Sequence, residues 1–533
     1  MKLYPILFLF FIFSFLRNHF AISDEAVNLQ MIKNISVHGA EFATRPSYDP
    51  GGHENWQRDA LPHILMPPVF HFFNLGFHQL IRIDLIKTAA ILQYFFLIAF
   101  LLILIRSRGL LKHIEVLFLS FIPVYYFLLI EHEGGMVLWG FLSLNFASLG
   151  LNKNKLSNFF LSGFFLGLGF LFKLWLVAPF GVALIFLLLF SCAKKEYSIL
   201  NYLKFSSLLI STFVLTSSAH LIYVHFSSPG DVGSWLNQVY FGFITGAGDY
   251  GSKANSEGWG HPWYYYLYCL IRDLAPILPL VVIFSKRLSI KEFKIHDGFL
   301  VGCFGILFSI IPLSFLASKE PAYILPIYIS LIILVMEMLK QNSSISKNEM
   351  KLSLISLIPI LTFFFFSITG KMSKTLTLEF MTLSGICYLA MIVSMLFQVT
   401  VKKNIQTILP IIGLLTTISY FELNFEKDID LVSNFIKNRE GNLISENPRN
   451  TFIISDAYSQ FGYKVWNRVL KYNWVIKKEN PIQADFNGLL GDKNFKYFIT
   501  NKNAKNFLLI KKASEFTQLK FKEFTDLAVY FRP

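Results

Sequence analysis

The chain has 533 residues, of which 54% are hydrophobic and only 15% charged, with a mean hydropathy of +0.50 and a formal net charge of +14. A water-soluble domain carries about a quarter charged residues, so most of this chain is built for a medium other than water. The positive charge does not point to nucleic acid: Lys and Arg gather in short loops between apolar runs, as membrane orientation requires, and no polar domain interleaves basic and aromatic residues.

About 20 largely apolar residues make one helical membrane span. Such runs predict about 13 spans, near residues 4–21, 85–105, 115–130, 136–151, 159–172, 174–192, 205–226, 263–284, 298–317, 322–339, 352–369, 378–399 and 405–421. The first is expected to be an uncleaved helix, because no small-x-small cleavage pattern precedes Arg17. The runs flanking Lys173 read either as two short spans or as one long tilted helix. Two spans make every short loop on one side basic, with Arg106, Arg108 and Lys112, then Lys153 and Lys155, then Lys194, Lys195 and Lys204. The series continues with Lys286, Arg287, Lys291 and Lys294, then Lys340, Lys347 and Lys351, then Lys402 and Lys403. The positive-inside rule then puts the N-terminus in the cytoplasm and the C-terminal segment outside it.

Three outside segments stand out: a polar first loop over residues 18–84, a Gly-, Ser- and aromatic-rich loop over 227–262, and the tail from 422 to 533. In the first loop Ala26, Leu29, Ile32 and Ile35 fall near one face at helical spacing, which predicts an amphipathic helix on the membrane surface. In the tail short apolar runs alternate with charge. "TFIISD", "KYFITN" and "LAVYFRP" read as strands, the rest as helices or loops. The expected organisation is a transmembrane domain over 1–421 and a soluble extracytoplasmic α/β domain over 422–533. The four cysteines, Cys192, Cys269, Cys303 and Cys387, show neither metal spacing nor a disulfide framework and read as small buried hydrophobes.

The candidate functional residues gather at the outer boundary. Asp24 and Glu25 follow the first span, where a charge near hydrocarbon is costly. They serve either as first-turn acids of a helix capped by Ser23 or as a general base acting on a sugar or lipid hydroxyl. "EHEGG" places Glu131, His132 and Glu133 in a very short turn, either as a solvated hairpin tip or as a Glu/His/Glu cluster that can hold a divalent metal. Lys319 and Tyr323, four apart and on one helical face, suit an anionic phosphate, as does Lys173; snorkelling or loop lysines are the plain alternatives. His53, His63, His261 and Trp56 read as structural or substrate-lining residues.

Together these features resemble the membrane-embedded glycosyltransferases of the GT-C fold that use a polyprenyl-phosphate sugar, a family that includes the lipid A aminoarabinose transferases and the protein O-mannosyltransferases. The resemblance rests on Asp24-Glu25-Ala26 after helix one, Pro67-Pro68 and Arg82 before helix two, and Lys173 after "GLGFLF". It also takes in "HPWYYYL" at 261–267, the stretch Ser318, Lys319, Tyr323 and Pro326, and the C-terminal α/β domain. It implies Asp24 as the base that deprotonates the acceptor hydroxyl, with Glu25 in support. Lys173, Lys319 and Tyr323 would bind the donor phosphate; Arg82 is a further candidate for it, and Glu131, His132, Glu133, His53 and His63 are candidates, on their own chemistry and apart from the resemblance, to meet the acceptor or a metal. The reaction would be a single inverting displacement, in the inner (plasma) membrane, from a polyprenyl-phosphate sugar to a lipid, glycan or protein. Two departures stand in this sequence: Met66 precedes Pro67-Pro68 where many relatives carry a basic residue, and Lys253 alone is basic between Ser227 and His261. The competing readings are a transporter or flippase of lipid-linked sugars and an envelope polymerase or ligase of another fold.

Overall fold

The computed structural model describes most of residues 68–341, helical residues between 28 and 36 and between 346 and 352, and five strands between 452 and 531. The chain divides into two compact units, one made of residues 1–12 and 93–418, the other of 13–92 and 419–533.

In the unit formed by 13–92 and 419–533, the described residues between 28 and 36 are helical, as expected. Their apolar face is not open to a membrane surface: Leu29, Ile32 and Ile35 are buried, together with Met31 and Asn28. Pro68 caps the start of helix α1 (Val69–Ile81), and Arg82 closes it in the left-handed conformation, its N–H donating to the His78 carbonyl. Buried His71 on α1 and buried Asn28 share a side-chain hydrogen bond of 3.1 Å. In the tail, strands β1 (Phe452–Asp456), β2 (Trp474–Lys477), β3 (Phe495–Asn501), β4 (Thr517–Leu519) and β5 (Leu527–Phe531) form one sheet in the order β2-β1-β3-β5-β4. β1 runs parallel to β2 and β3, and β5 antiparallel to β3 and β4. Parallel neighbours require crossover connections. β1, β3 and β5 are the strands the alternation predicts; β2 and β4 lie in stretches expected as helix or loop.

The other unit is a helical bundle. Its helices are α2 (Leu85–Arg108, which starts in the unit of 13–92 and 419–533), α3 (Phe121–Leu128), α4 (His132–Lys153), α5 (Leu156–Lys173), α6 (Ala178–Ala193), α7 (Ile199–Ser227), α8 (Tyr265–Asp273), α9 (Leu278–Ser289), α10 (Gly298–Phe308), α11 (Ile310–Ser314) and α12 (Leu325–Gln341). Among the described residues five stretches are long and apolar enough to cross a membrane: Lys87–Arg106, His132–Lys153, Leu156–Ala193, Ile199–Phe226 and Ala322–Gln341. α8 and α9 together would make another. The expected spans near 4–21, 378–399 and 405–421, and all but the first residue of 352–369, lie outside the described residues. α4 and α12 form the centre, since the apolar window of Ala322–Gln341 is 89% buried, whereas that of α7 is 22% buried and turns Leu215 and Phe226 outward. Outward apolar side chains on such a helix are what a lipid environment permits.

The 38-residue stretch Leu156–Ala193 is two helices running in opposite directions. α5 descends α4 antiparallel: Phe159 lies against Gly150, Phe165 stacks on Trp139 at 5.8 Å, and Phe172 lies against Gly135. α6 returns along α4, with Phe180 against Gly140 and with Leu187 and Ser148 meeting at Gly298. α7 runs parallel to α5, Phe205 stacking on Phe159 at 4.3 Å and Thr216 meeting Gly167. The reversal is a 3-10 turn, Leu174–Val177, entered through Leu174 at φ 44. A positive φ is rare for a bulky residue, and costs on the order of 1–3 kcal/mol. Two spans, not one tilted rod, therefore flank Lys173.

These directions sort the bundle into two ends. His132, Lys173, Asp273 and Pro321 mark one. Lys153, Lys155, Lys194, Lys286, Arg287 and Lys340 mark the other, which is the basic side predicted from the loops.

Candidate functional site

The end of the bundle marked by Lys173 carries two buried polar clusters. The first begins at the start of α4. Glu131 caps that helix in extended conformation, and Glu133 lies in its first turn, where a carboxylate complements the helix dipole. Lys173 ends α5, where an ammonium does the same for the opposite pole. The two meet, Lys173 Nζ standing 2.8 Å from Glu133 Oε1, with the Lys side chain 10% accessible and the Glu side chain 1%. Glu133 Oε2 is buried and receives no hydrogen bond from the described residues. The turn is no solvated tip. His132 and Glu133 are fully covered, the Glu131 carbonyl accepts a 2.9 Å hydrogen bond from Gln93 Nε2, and the glycines exist for close packing. A Cβ on Gly134 would sit 2.4 Å from the Phe127 carbonyl oxygen, and one on Gly135 would enter the Phe172 ring. Among the described residues no group of three or more His, Cys, Asp or Glu could hold a metal ion. Glu131, His132 and Glu133 are thus not grouped as a metal cluster among the described residues, and Glu133 is paired with Lys173.

The second cluster joins α3, α8 and α12. Arg272 donates from Nε to Asp273 Oδ1 and from Nη2 to Asp273 Oδ2 and, at 3.4 Å, to the Tyr126 hydroxyl. Tyr328 donates its hydroxyl to Asp273 Oδ2 and stacks on Tyr126, ring centroids 6.5 Å apart. The guanidinium also lies over the Tyr268 ring, 5.5 Å from its centroid. None of these residues was singled out in the sequence, where 263–284 read as one apolar span. The signal was present: an adjacent Arg and Asp within a supposed span is itself a functional flag, and Pro276 disfavours helix for the residue before it. α8 accordingly ends at Asp273, and α9 begins only at Leu278.

Lys319 and Tyr323 flank this cluster. Lys319 is buried to 6% accessibility, donates to the Leu316 carbonyl at 2.6 Å, and has its pKa lowered by desolvation. Tyr323, 9% accessible, lies in the 3-10 turn Pro321–Ile324, against which α8 packs. The helix proper starts at Leu325, so these two residues do not share the helical face that their spacing suggests. In the other unit Arg82 lines an open cleft of about 650 Å³ with Ser36, Leu75, His78 and Gln79. Asp24, Glu25, His53 and His63 lie outside the described residues.

No protein-family model matches the sequence, and a comparison with curated proteins gives no match. Solved structures do match. ArnT from Cupriavidus metallidurans bound to undecaprenyl phosphate aligns with a TM-score of 0.68 at 12% identity, over 98% of this chain and 96% of that one. Its apo state gives a TM-score of 0.64 at 12% identity, over 99% and 96%. At this identity the likeness establishes the fold, which is the GT-C fold the sequence resembles.

Proposed function

From the GT-C fold as premise, we propose that this chain is an integral membrane glycosyltransferase that moves a sugar from a polyprenyl-phosphate donor to an extracytoplasmic lipid, glycan or protein acceptor. The observation that carries this is the end-to-end likeness to a structure of ArnT bound to undecaprenyl phosphate. The buried cations support it, because Lys173 and Lys319 stand in low-dielectric surroundings at the end opposite the basic loops. By the positive-inside rule that end faces away from the cytoplasm, which puts the C-terminal domain outside and the N-terminus inside the inner (plasma) membrane.

In the proposed reaction Asp24 takes the proton of the acceptor hydroxyl, with Glu25 in support. The oxygen attacks the anomeric carbon from the face opposite the phosphate, and the anomeric C–O bond breaks with its electron pair going to polyprenyl phosphate. The sugar configuration inverts. Negative charge grows on the leaving phosphate, and cations already in place stabilise it without reorganising. Lys173, Lys319, Tyr323 and Arg82 are the groups assigned to that phosphate. Glu133 Oε2, buried and with no donor among the described residues, suits a sugar or acceptor hydroxyl.

The test is transfer by purified protein, given labelled polyprenyl-phosphate sugars and a membrane lipid extract. Wild type is expected to transfer, and Asp24→Asn to lose roughly 100-fold or more. Equal transfer by both removes Asp24 from the role of base. Tight donor binding without transfer moves the assignment to a flippase of lipid-linked sugars.

A further inference from the structure

The Arg272 guanidinium is fixed on one edge, and its side chain stays partly accessible. A guanidinium carries five N–H donors in a rigid fork. Asp273 takes the Nε/Nη2 edge side-on, and the Tyr126 hydroxyl adds a second contact to Nη2. Asp273 in turn is held by the Tyr328 hydroxyl and has a fully covered side chain, so the clamp cannot easily swing away. The Tyr268 ring covers one face of the guanidinium. Tyr268 also hydrogen-bonds the guanidinium through its hydroxyl, yet the Arg272 side chain keeps 21% of its surface accessible. Arg287, at the opposite end of the bundle, offers the same Nε/Nη2 edge to Glu349 but is closed over, with its side chain 3% accessible. A pair built only to hold helices together resembles Arg287. Arg272 instead keeps about seven times that share of its side chain accessible, with Nε and Nη2 held by Asp273.

The surroundings supply the ligand class. Tyr126 precedes Phe127, whose carbonyl abuts Gly134, the neighbour of Glu133 in the Lys173 pair. α8 packs on the turn that carries Tyr323. Arg272 thus stands at the same end of the bundle as Lys173 and Lys319. We propose that Arg272 is a further phosphate-binding residue of the donor site, presenting Nη1 to the phosphate of the lipid-linked sugar, with Asp273 as the residue that positions it. This rests on the transferase reading above and names a cation which that reading does not contain.

The experiment measures undecaprenyl phosphate binding to the full-length protein in nanodiscs, for wild type, Arg272→Lys and Lys173→Met. Lys keeps the charge but loses the fork, so Arg272→Lys is expected to bind about 10-fold more weakly or worse, with a melting temperature within about 2 °C of wild type. A second measurement uses only wild-type protein. Undecaprenyl phosphate is expected to protect Arg272 from phenylglyoxal, read by mass spectrometry, and this decides the matter if Arg272→Lys fails to fold. Unchanged binding by Arg272→Lys, or weaker binding without protection in wild type, overturns the assignment while Lys173→Met still reports on the donor site. No binding by wild type overturns the donor reading and this assignment with it.

Discussion

Two buried ion pairs, one at each end of the bundle, are built on opposite plans. At the basic end Arg287 binds Glu349 through two hydrogen bonds, of 2.7 and 3.2 Å, and Glu349 Oε2 also accepts from the Ser346 N–H and hydroxyl at 2.8 and 2.9 Å. The Glu349 N–H donates back to Ser346 Oγ, which completes a Ser-x-x-Glu capping box. Every oxygen of that carboxylate is occupied. At the other end Lys173 and Glu133 make one contact of 2.8 Å, and Glu133 Oε2 is buried with no donor among the described residues. A buried charge that is fully bonded holds structure, whereas one that is partly bonded keeps capacity for something else. The difference separates a lock from a site.

The largest effect is expected at the lock. Arg287→Met leaves Glu349 buried without its partner and is expected to cost about 3–5 kcal/mol of stability. Thermal unfolding in detergent measures it, while the specific activity of the folded fraction stays near wild type. An activity loss larger than the folded fraction explains would erase the contrast. Lys173→Met also strands a buried carboxylate, Glu133, and is expected to destabilise comparably, but here transfer per folded molecule also falls, by roughly 100-fold, through lost stabilisation of the leaving phosphate. Steady-state rates against donor concentration show it as a change in kcat/KM.

The last comparison is in acid, and it separates the bundle from the other unit. Arg287 above all, then Ser346, holds the Glu349 carboxyl down at about 2, against an ordinary 4.5. Its contribution is full above pH 4.5 and is lost as pH falls from 4.5 towards 2. Burial pushes His71 down to about 3 from 6.5. The folded state therefore keeps that imidazole neutral while the unfolded chain takes up a proton, and stability falls as pH drops from 6.5 towards 3. Melting curves from pH 7 to 3 are expected to decline in two stages. His71→Gln should flatten the upper stage and Glu349→Gln the lower, and a decline that neither variant alters would refute both assignments.

Much of the bundle was legible because hydropathy reports what lies in lipid. The spans near 85–105, 136–151, 205–226 and 322–339 match helices α2, α4, α7 and α12 to within six residues at each end. Lys173 was legible as a charge between two apolar runs, and its loop side followed from counting basic residues. Its partner was not, because Glu133 reaches it only through the antiparallel packing of α4 and α5, which no local pattern encodes. Arg272 and Asp273 were passed over because apolar neighbours outweighed two charges in a 22-residue average. In the tail β1, β3 and β5 showed alternation, but β4 has only three residues, too few for a period of two to register. The spacing of Lys319 and Tyr323 misled because Pro321 opens a 3-10 turn where an α-helix was assumed.

The turn at Leu174 matters most during biosynthesis. A nascent chain presenting 38 nearly uninterrupted apolar residues offers the insertion machinery no obvious place to stop. The mirror-image backbone at Leu174, next to the ammonium of Lys173, divides that run into a hairpin that crosses twice. Parity then propagates, so the sidedness of every later loop depends on this one residue. A substitution that straightened Leu174 would leave each helix intact and still deliver Lys319, Tyr323 and Arg272 to the wrong compartment.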